Sequence, residues 1–525
     1  MAGSLWTRAA ALADLQETGR KLVRLEGRAI ALFQGGEGVF ACANQCPHEG
    51  YPLIEGNFDN GCVLTCNWHN WKFDLASGET LMGGDRLKRY PTRVENGEIF
   101  VDLAETPAKQ RRAAALSGLQ GAFEKHEYDR MARELARYAA AGGDPRDAVT
   151  AAAIWTHDRL EDGSDHAVAV APDWIALAEQ APDPASALVP YLETVAYLNW
   201  DSLRAYRFPF PEAVLPWNRE AFLAAIEAEE EAAATARLRG FLDAGGGLDT
   251  LWPVLGRAAL AHYQGFGHAA IYVVKTRQLI DLLGTDSAKP LLLALLRSLL
   301  RSNREDLIPE FRAYGPALAR WDGKGGARPE PAAFHRLSVP AALDLAVSAS
   351  GDPVALYHSL LDAAAWQLLT FDESVMTRTD APVSQNNNWL SLTHGITFAN
   401  AVRHLAEEDP ELWPAGLLQI ACFLGRNASI AGDRVALADW AVGDPQAFFE
   451  ARALELYDHG ESEFIFLAHR VKVLMAVADE LRRWPDAPWR EILLAATNRY
   501  LSRPIKHKHA LRTARQALDF VARES

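Results

Sequence analysis

The chain has 525 residues, with 53 Lys and Arg against 68 Asp and Glu for a net charge of −15. Single hydrophobic cores stop growing near about 250–300 residues, so two or more domains are expected, and a composition that is 49% hydrophobic and 23% charged excludes disorder and fibrous repeats as the main theme. The acidic balance argues against sequence-independent nucleic-acid binding, five cysteines are too few for a disulfide scaffold, and no apolar run approaches the ~18 residues of a membrane span, so a cytoplasmic protein without nucleic-acid or membrane partners is expected.

Residues 1–105 read as an all-β module. Short β-type runs (KLVRLEG, RAIALFQ, VFACAN, VLTC, EIFVDL) alternate with turns at Gly35-Gly36, Asp59-Asn60-Gly61 and Glu95-Asn96-Gly97. A linker over residues 106–115, around Pro107, then leads into a large all-α region over 116–525. That region is rich in Ala, Leu, Glu and Arg at helical spacing, as in AFLAAIEAEEEAAATARLRGFL and REILLAATNRYL. Within it, His166, His268, His394 and His469 each open a similar stretch. A second apolar helix follows each, ending at Asn199, Asn303, Asn427 and Ser502, so the interval is nearly constant. This predicts a degenerate four-fold helical-hairpin repeat, which can stack as a solenoid or close into one globule. A further histidine precedes each unit: His157, His262, His358 and His459.

The sharpest chemical signal lies in the β-module. Cys46-Pro47-His48 is followed, after seventeen intervening residues, by Cys66-Asn67-Trp68-His69. Two loops that each offer one thiolate and one imidazole meet the need of a Rieske [2Fe–2S] centre, in which two Cys hold one iron and two His the other. A structural zinc site would more often use Cys-x2-Cys spacing. The second loop and its sequel WHNWKFDLASGE resemble Rieske ferredoxins and ring-hydroxylating oxygenases over residues 1–105. That resemblance assigns Cys46 and Cys66 to one iron, and His48 and His69 to the other. Cys42 and Cys62 precede the ligands and Tyr51 follows the first loop, which favours the ferredoxin or oxygenase subtype over the disulfide-bearing respiratory one. Cys42, Cys62 and Cys422 read as small apolar side chains.

Such a cluster moves single electrons and leaves substrate chemistry to another site. The nearest match to the Asp-x2-His-x4-5-His pattern of ring-hydroxylating oxygenases is His262 to His268, with Ala259 where Asp is needed. No Gly-x-Gly-x-x-Gly follows a strand and no Walker loop occurs, so a separate reductase or ferredoxin is expected as electron donor. On a helix His469 and Lys472 share a face and could address one metal. A buried lysine beside a cation favours its free amine, which reacts with carbon dioxide to give an anionic oxygen ligand. Four imidazoles from equivalent places in four repeats could converge in the same way, as in helical-bundle metal sites. Imidazole suits Fe, Zn, Cu and Ni alike, and the neighbouring cluster tips the choice to iron.

The helical part also resembles the questin oxidase-like family, through DHAVAVAPDWIAL (165–177), FGHAAIYVV (266–274), THGITFANAVRHL (393–405) and AHRVKVLMAV (468–477). The resemblance implies a helical oxygenase of apolar, aromatic or polyketide substrates. It also implies a non-haem iron bound by His166, His268, His394 and His469 and by Lys472 as a carbamylated ligand in the catalytic centre. Taken together, the sequence predicts a Rieske-coupled non-haem iron oxygenase or oxidase that uses O2. The competing readings are a Rieske electron carrier or redox sensor whose helices bind a partner, and a hydrolytic metal domain hinted at by His157-Asp158. Lys275 reads as a solvated or paired charge, Asn386-Asn387-Asn388 as a capping loop or pocket wall, and the basic stretch Lys506–Arg515, with His507 and His509, as solvated surface or a docking site for an acidic donor.

Overall fold

The computed structural model describes residues 5–59, 61–202, 206–379, 382, 386–432, 434–461, 463–504 and 510–524. Of the basic stretch, residues 506–509, and with them His507 and His509, lie outside the described residues. Two compact units are present, one formed by residues 1–148 with 511–525 and the other by 149–510.

The first unit contains eleven strands: β1 (Trp6–Ala11), β2 (Arg20–Leu25), β3 (Arg28–Gly35), β4 (Gly38–Ala43), β5 (Asn57–Phe58), β6 (Val63–Thr65), β7 (Lys72–Asp74), β8 (Thr80–Met82), β9 (Arg89–Tyr90), β10 (Thr92–Glu95) and β11 (Glu98–Asp102). They form three antiparallel sheets in the orders β1-β11-β10, β2-β3-β4-β9 and β5-β6-β7-β8. The expected β-runs coincide with β2, β3, β4, β6 and β11. Two hairpins close with two-residue turns, Glu26-Gly27 and Asn96-Gly97, in which both residues take positive φ as the right-handed strand twist favours. Strand β3 reads as an unbroken apolar run because both its faces are buried. Ile30 and Leu32 join Ile99 and Val101 in one core, while Ala31 and Phe33 join Leu53, Leu64 and Phe73 in a second that also contains Cys46 and Cys66.

The expected linker is helix instead. Pro107 caps a helix over Ala108–Lys125, followed by a second over Tyr128–Ala140. Both belong to the unit that contains the strands, and so does nearly all of the last helix, Ala510–Glu524. The first unit runs on to residue 148, and within it Arg130, Arg133 and Arg137 share one helix face and meet the fully buried Asp85 at 2.5, 3.0 and 3.8 Å. Arg137 also holds Glu524 at 2.8 Å, and Lys88 donates to the Glu524 carbonyl.

The second unit is helical. Its centre is four helices, His166–Glu179, His268–Leu283, Trp389–Glu408 and Phe464–Arg483, called here the His166, His268, His394 and His469 helices. Each packs against the next and the last returns to the first, closing a four-membered ring. Each is also followed by a helix that packs on it: Pro184–Asp201, Ala288–Leu300, Trp413–Asn427 and Arg490–Leu501 respectively. Twenty α-helices occur among the described residues, and none is long and apolar enough to cross a membrane.

Candidate functional site

The two loops that carry Cys46, His48, Cys66 and His69 repeat one backbone pattern. The Cys46 amide donates to the Tyr51 carbonyl at 2.9 Å and the Gly50 amide to the Cys46 carbonyl at 2.8 Å, while Cys66 with Trp71 and Asn70 with Cys66 do the same at 2.8 and 2.9 Å. Gly50 and Asn70 take the same place in the two turns, both at positive φ. Both thiols are buried, and burial pushes the Cys46 thiol up to about 12. The imidazoles of His48 and His69 meet edge to face with ring centroids 4.6 Å apart, and Trp71 stacks on His48 at 4.5 Å. The His48 Nδ1 atom is buried without a hydrogen-bond partner. Two adjacent buried sulfurs and an inward, unpartnered imidazole nitrogen fit a [2Fe–2S] cluster with two Cys and two His.

Through this module the chain belongs to the Rieske [2Fe-2S] domain family. The family model matches residues 5–91. The Rieske module is 30% identical to the ferredoxin component of the naphthalene 1,2-dioxygenase system of Pseudomonas putida over 101 residues, 19% of this chain and 96% of that protein. It is 34% identical to the methanesulfonate monooxygenase ferredoxin subunit of Methylosulfonomonas methylovora, over 19% of this chain and 82% of the relative. Among solved structures, the ferredoxin of carbazole 1,9a-dioxygenase from Nocardioides aromaticivorans IC177 is similar at 25% identity and a TM-score of 0.18, covering 19% of this chain and 97% of that one. Each of these matches falls on the Rieske module. The two Rieske histidines differ in their surroundings: His69 is exposed beside Trp68, itself 55% exposed, whereas His48 borders a cavity of about 780 Å³ lined by Trp71, Arg130, Arg133 and Phe520.

In the helical unit the structure brings His166, His268, His394 and His469 together. Neighbouring Nε2 atoms lie 3.1 Å apart for His166 and His268, 2.9 Å for His268 and His394, and 3.2 Å for His394 and His469. The helices aim them. Asp165 caps the first helix through the Ala167 and Val168 amides, so His166 is its first residue. Gly267, at φ +80° with Phe398 filling the space a Cβ would need, sets His268 at the start of the next. His394 and His469 point inward from within their helices. The Nδ1 atoms of His268, His394 and His469 lie 2.5, 2.6 and 2.7 Å from the Gly265, Leu390 and Ile465 carbonyl oxygens. A carbonyl only accepts, so each Nδ1 carries the proton and each neutral ring presents a bare Nε2 lone pair.

Bare lone pairs about 3 Å apart repel unless a cation lies among them. A proton is poorly placed to be that cation, because burial holds all four imidazoles well below their usual range, with Lys472 and the neighbouring rings adding to it. A metal ion suits the donor set. Metal–nitrogen bonds of ~2.1 Å put adjacent nitrogens ~3 Å apart, and Nδ1–H donated to a carbonyl is the usual orienting bond of a metal-bound histidine. Lys472 sits one turn beyond His469, 1% exposed, with no hydrogen-bond partner for Nζ, and burial pushes its amine down to about 7. It thus presents a nitrogen whose free-amine form is far more accessible than that of an ordinary lysine.

The site opens on one side into a pocket of about 970 Å³ bounded by His166, His268, Tyr197, Trp200, Tyr272 and Phe464. Asp165 and Asp201 also face it, and burial with mutual repulsion raises the Asp201 carboxyl to about 9. The sequence reading did not single out this pair. An Asp directly before the first His was the available signal for Asp165, while Asp201 lies far along the chain at the end of the next helix.

The other histidines are engaged elsewhere. His157 Nδ1 bonds the Ile154 carbonyl, His262 lies between Glu227 and Asp306, His358 accepts from Trp489 Nε1, and His459 pairs with Glu193 in the core. The Asp-x2-His-x4-5-His alternative fails for the same reason, since His262 is held by these carboxylates while His268 turns to the cage. Asn388 caps the His394 helix with Ser391 in a reciprocal box. Lys275 is a buried paired charge, 2.6 Å from Asp173. Cys42 and Cys422 are fully buried, while Cys62 is partly exposed.

Proposed function

We propose that the chain is a Rieske-coupled non-haem iron oxygenase or oxidase. A cluster held by Cys46, His48, Cys66 and His69 would supply single electrons, and an iron held by His166, His268, His394 and His469, with Lys472 as a further ligand, would supply the O2 chemistry for an apolar, aromatic or polyketide substrate. The observation that carries this reading is the meeting of Nε2 lone pairs whose Nδ1 protons are committed to backbone carbonyls. Iron is favoured over zinc because the relatives of the Rieske module are electron-carrying components of oxygenase systems.

Bound iron would supply the one-electron chemistry that activation of O2 requires. The protein's own groups do the rest. The carbonyls of Gly265, Leu390 and Ile465 hold three rings in the tautomer that leaves Nε2 free. Tyr197, Trp200 and Phe464 give a substrate an aromatic wall in the pocket, with Phe464 stacked on Tyr197 at 5.1 Å. The Asp201 carboxyl, protonated at neutral pH, offers an O–H to Asp165 or to a polar group of the substrate. A separate reductase or ferredoxin supplies electrons.

His394→Ala and His469→Ala are expected to lose iron from the helical unit while keeping the Rieske visible spectrum, as read by elemental analysis and absorbance. Full iron retention in both variants would overturn the assignment. Because two of the relatives are electron carriers, iron limited to the pair that the cluster needs would leave an electron carrier or sensor as the reading.

A further inference from the structure

Of the three carbonyls that hold the cage imidazoles, two come with their helix and one does not. Leu390 and Ile465 stand one turn before His394 and His469 within the same helices, so forming the helix places the acceptor. Gly265 lies outside the His268 helix, in the turn Gly265–Gly267 that precedes it. The aim and the tautomer of His268 therefore depend on how that turn is held.

The turn is strained. Gly265, Phe266 and Gly267 take φ of +56°, +48° and +80° in succession. Glycine adopts such values freely, but in Phe the Cβ crowds the backbone, and left-handed residues in sequence are unusual. Two side chains from elsewhere hold Phe266 there. Its amide donates to Glu305 Oε2 at 3.2 Å, and the Arg426 guanidinium lies over its ring at 4.2 Å. On either side, the Gly265 amide donates to the Asn303 carbonyl at 2.9 Å and the Gln264 side chain to the Ala258 carbonyl at 3.0 Å. Glu305 is a costly acceptor for one amide. It is 1% exposed, its Oε1 has no hydrogen-bond partner among the described residues, and burial raises its carboxyl to about 7. A Ser hydroxyl or a backbone carbonyl would accept the same bond without burying an acid. Backbone strain and a buried acid that meet on the turn aiming a cage imidazole point to function more than to stability.

We infer that Glu305 is a positioning residue for the helical metal site. By accepting from the Phe266 amide it keeps the turn in the conformation that presents the Gly265 carbonyl to His268 Nδ1, and so aims His268 Nε2 at the ion. The role rests on the four-histidine reading and deepens it. Glu305 acts through the turn and not as a ligand. His268 is thereby the imidazole whose place in the cage is set from outside its own helix, by a residue 37 positions further along the chain.

The test is Co2+ binding by the full-length protein, after a chelator has emptied the helical site and left the cluster's visible absorbance intact. The electron paramagnetic resonance of the bound ion reports its ligands, with the cluster kept oxidised and silent. Glu305→Met, which keeps the volume but offers no acceptor, is expected to weaken Co2+ binding by roughly tenfold and to alter the signal. Glu305→Ala serves as the second variant. Glu305→Gln, which keeps an acceptor oxygen, should restore both affinity and signal. In a His268→Ala background Glu305→Met should weaken binding no further, since the side chain it aims is gone. Native affinity in Glu305→Met and Glu305→Ala, an equal loss with and without His268, or a Gln variant as weak as the Met variant overturns the positioning role. A native protein that binds no Co2+ outside the cluster, or binds it unchanged after His268→Ala, overturns the four-histidine reading itself, and the positioning role with it.

Discussion

At Cys46, His48, Cys66 and His69 the side chains come from two short turns with the same backbone hydrogen bonds, close together in the chain. At His166, His268, His394 and His469 they come from four helices whose meeting depends on the packing of the whole helical unit. The first arrangement is local: the turns fix the loops, and burial pushes the Cys46 thiol up to about 12, so that it needs a metal to exist as a thiolate. The second is global: the imidazoles are aimed by helix starts and by nearby backbone carbonyls, so the cage is shaped before any ion arrives. A local site is expected to fail by losing its cofactor while the surrounding fold survives. A global site is expected to tolerate loss of its ion and to fail when a helix moves.

The largest test of that contrast is Cys66→Ser. It should abolish the visible absorbance of the cluster completely while leaving helical-unit iron in place, and loss of both would show that the sites are not independent. Next in size is Lys472→Met. Removing an unpartnered buried amine should raise the thermal stability of the chelator-treated protein by about 1–2 kcal/mol. It should also lower iron occupancy of the helical site by roughly tenfold; unchanged occupancy would remove Lys472 from the site.

A buried charge that serves structure offers the complementary case. Glu134 lies over Gly118 and pairs with Arg137 at 2.8 Å, yet burial outweighs that partner and raises its carboxyl to about 7. Between about 4.5 and 7 the folded chain therefore holds a proton that the unfolded chain has released, so stability falls as pH rises through that window, by on the order of 3 kcal/mol. Glu134→Gln should flatten this slope in denaturant titrations at several pH values, without changing the metal content of the protein. The smallest effect belongs to His262→Gln. With that imidazole tied to Glu227 and Asp306, iron content should not change, and a loss of iron would bring His262 back as a ligand.

What could be read from the residues follows the same divide. The Rieske loops were legible because Cys-x-His and Cys-x-x-His are short-range patterns, and short-range spacing survives folding unchanged. The four cage histidines were legible because each opens a similar stretch of sequence. Other features depended on pairs distant in the chain. Nothing in the sequence around Lys275 names Asp173, 102 residues earlier, as its partner, so burial of that pair could not be anticipated. Asp85 was equally silent. A single acid in a Gly-rich turn gives no sign that it will gather Arg130, Arg133 and Arg137 from the helix Tyr128–Ala140.

The last helix has a bearing on how the molecule is made. Phe520 borders the cavity beside His48, and Glu524 is gripped by Arg137 and Lys88, so the unit that begins the chain is completed only by residues translated after the entire helical unit. During synthesis the first loops can form at once, but the wall next to His48 arrives hundreds of codons later. A cluster inserted before that moment would meet the His48 side without the wall that Phe520 supplies.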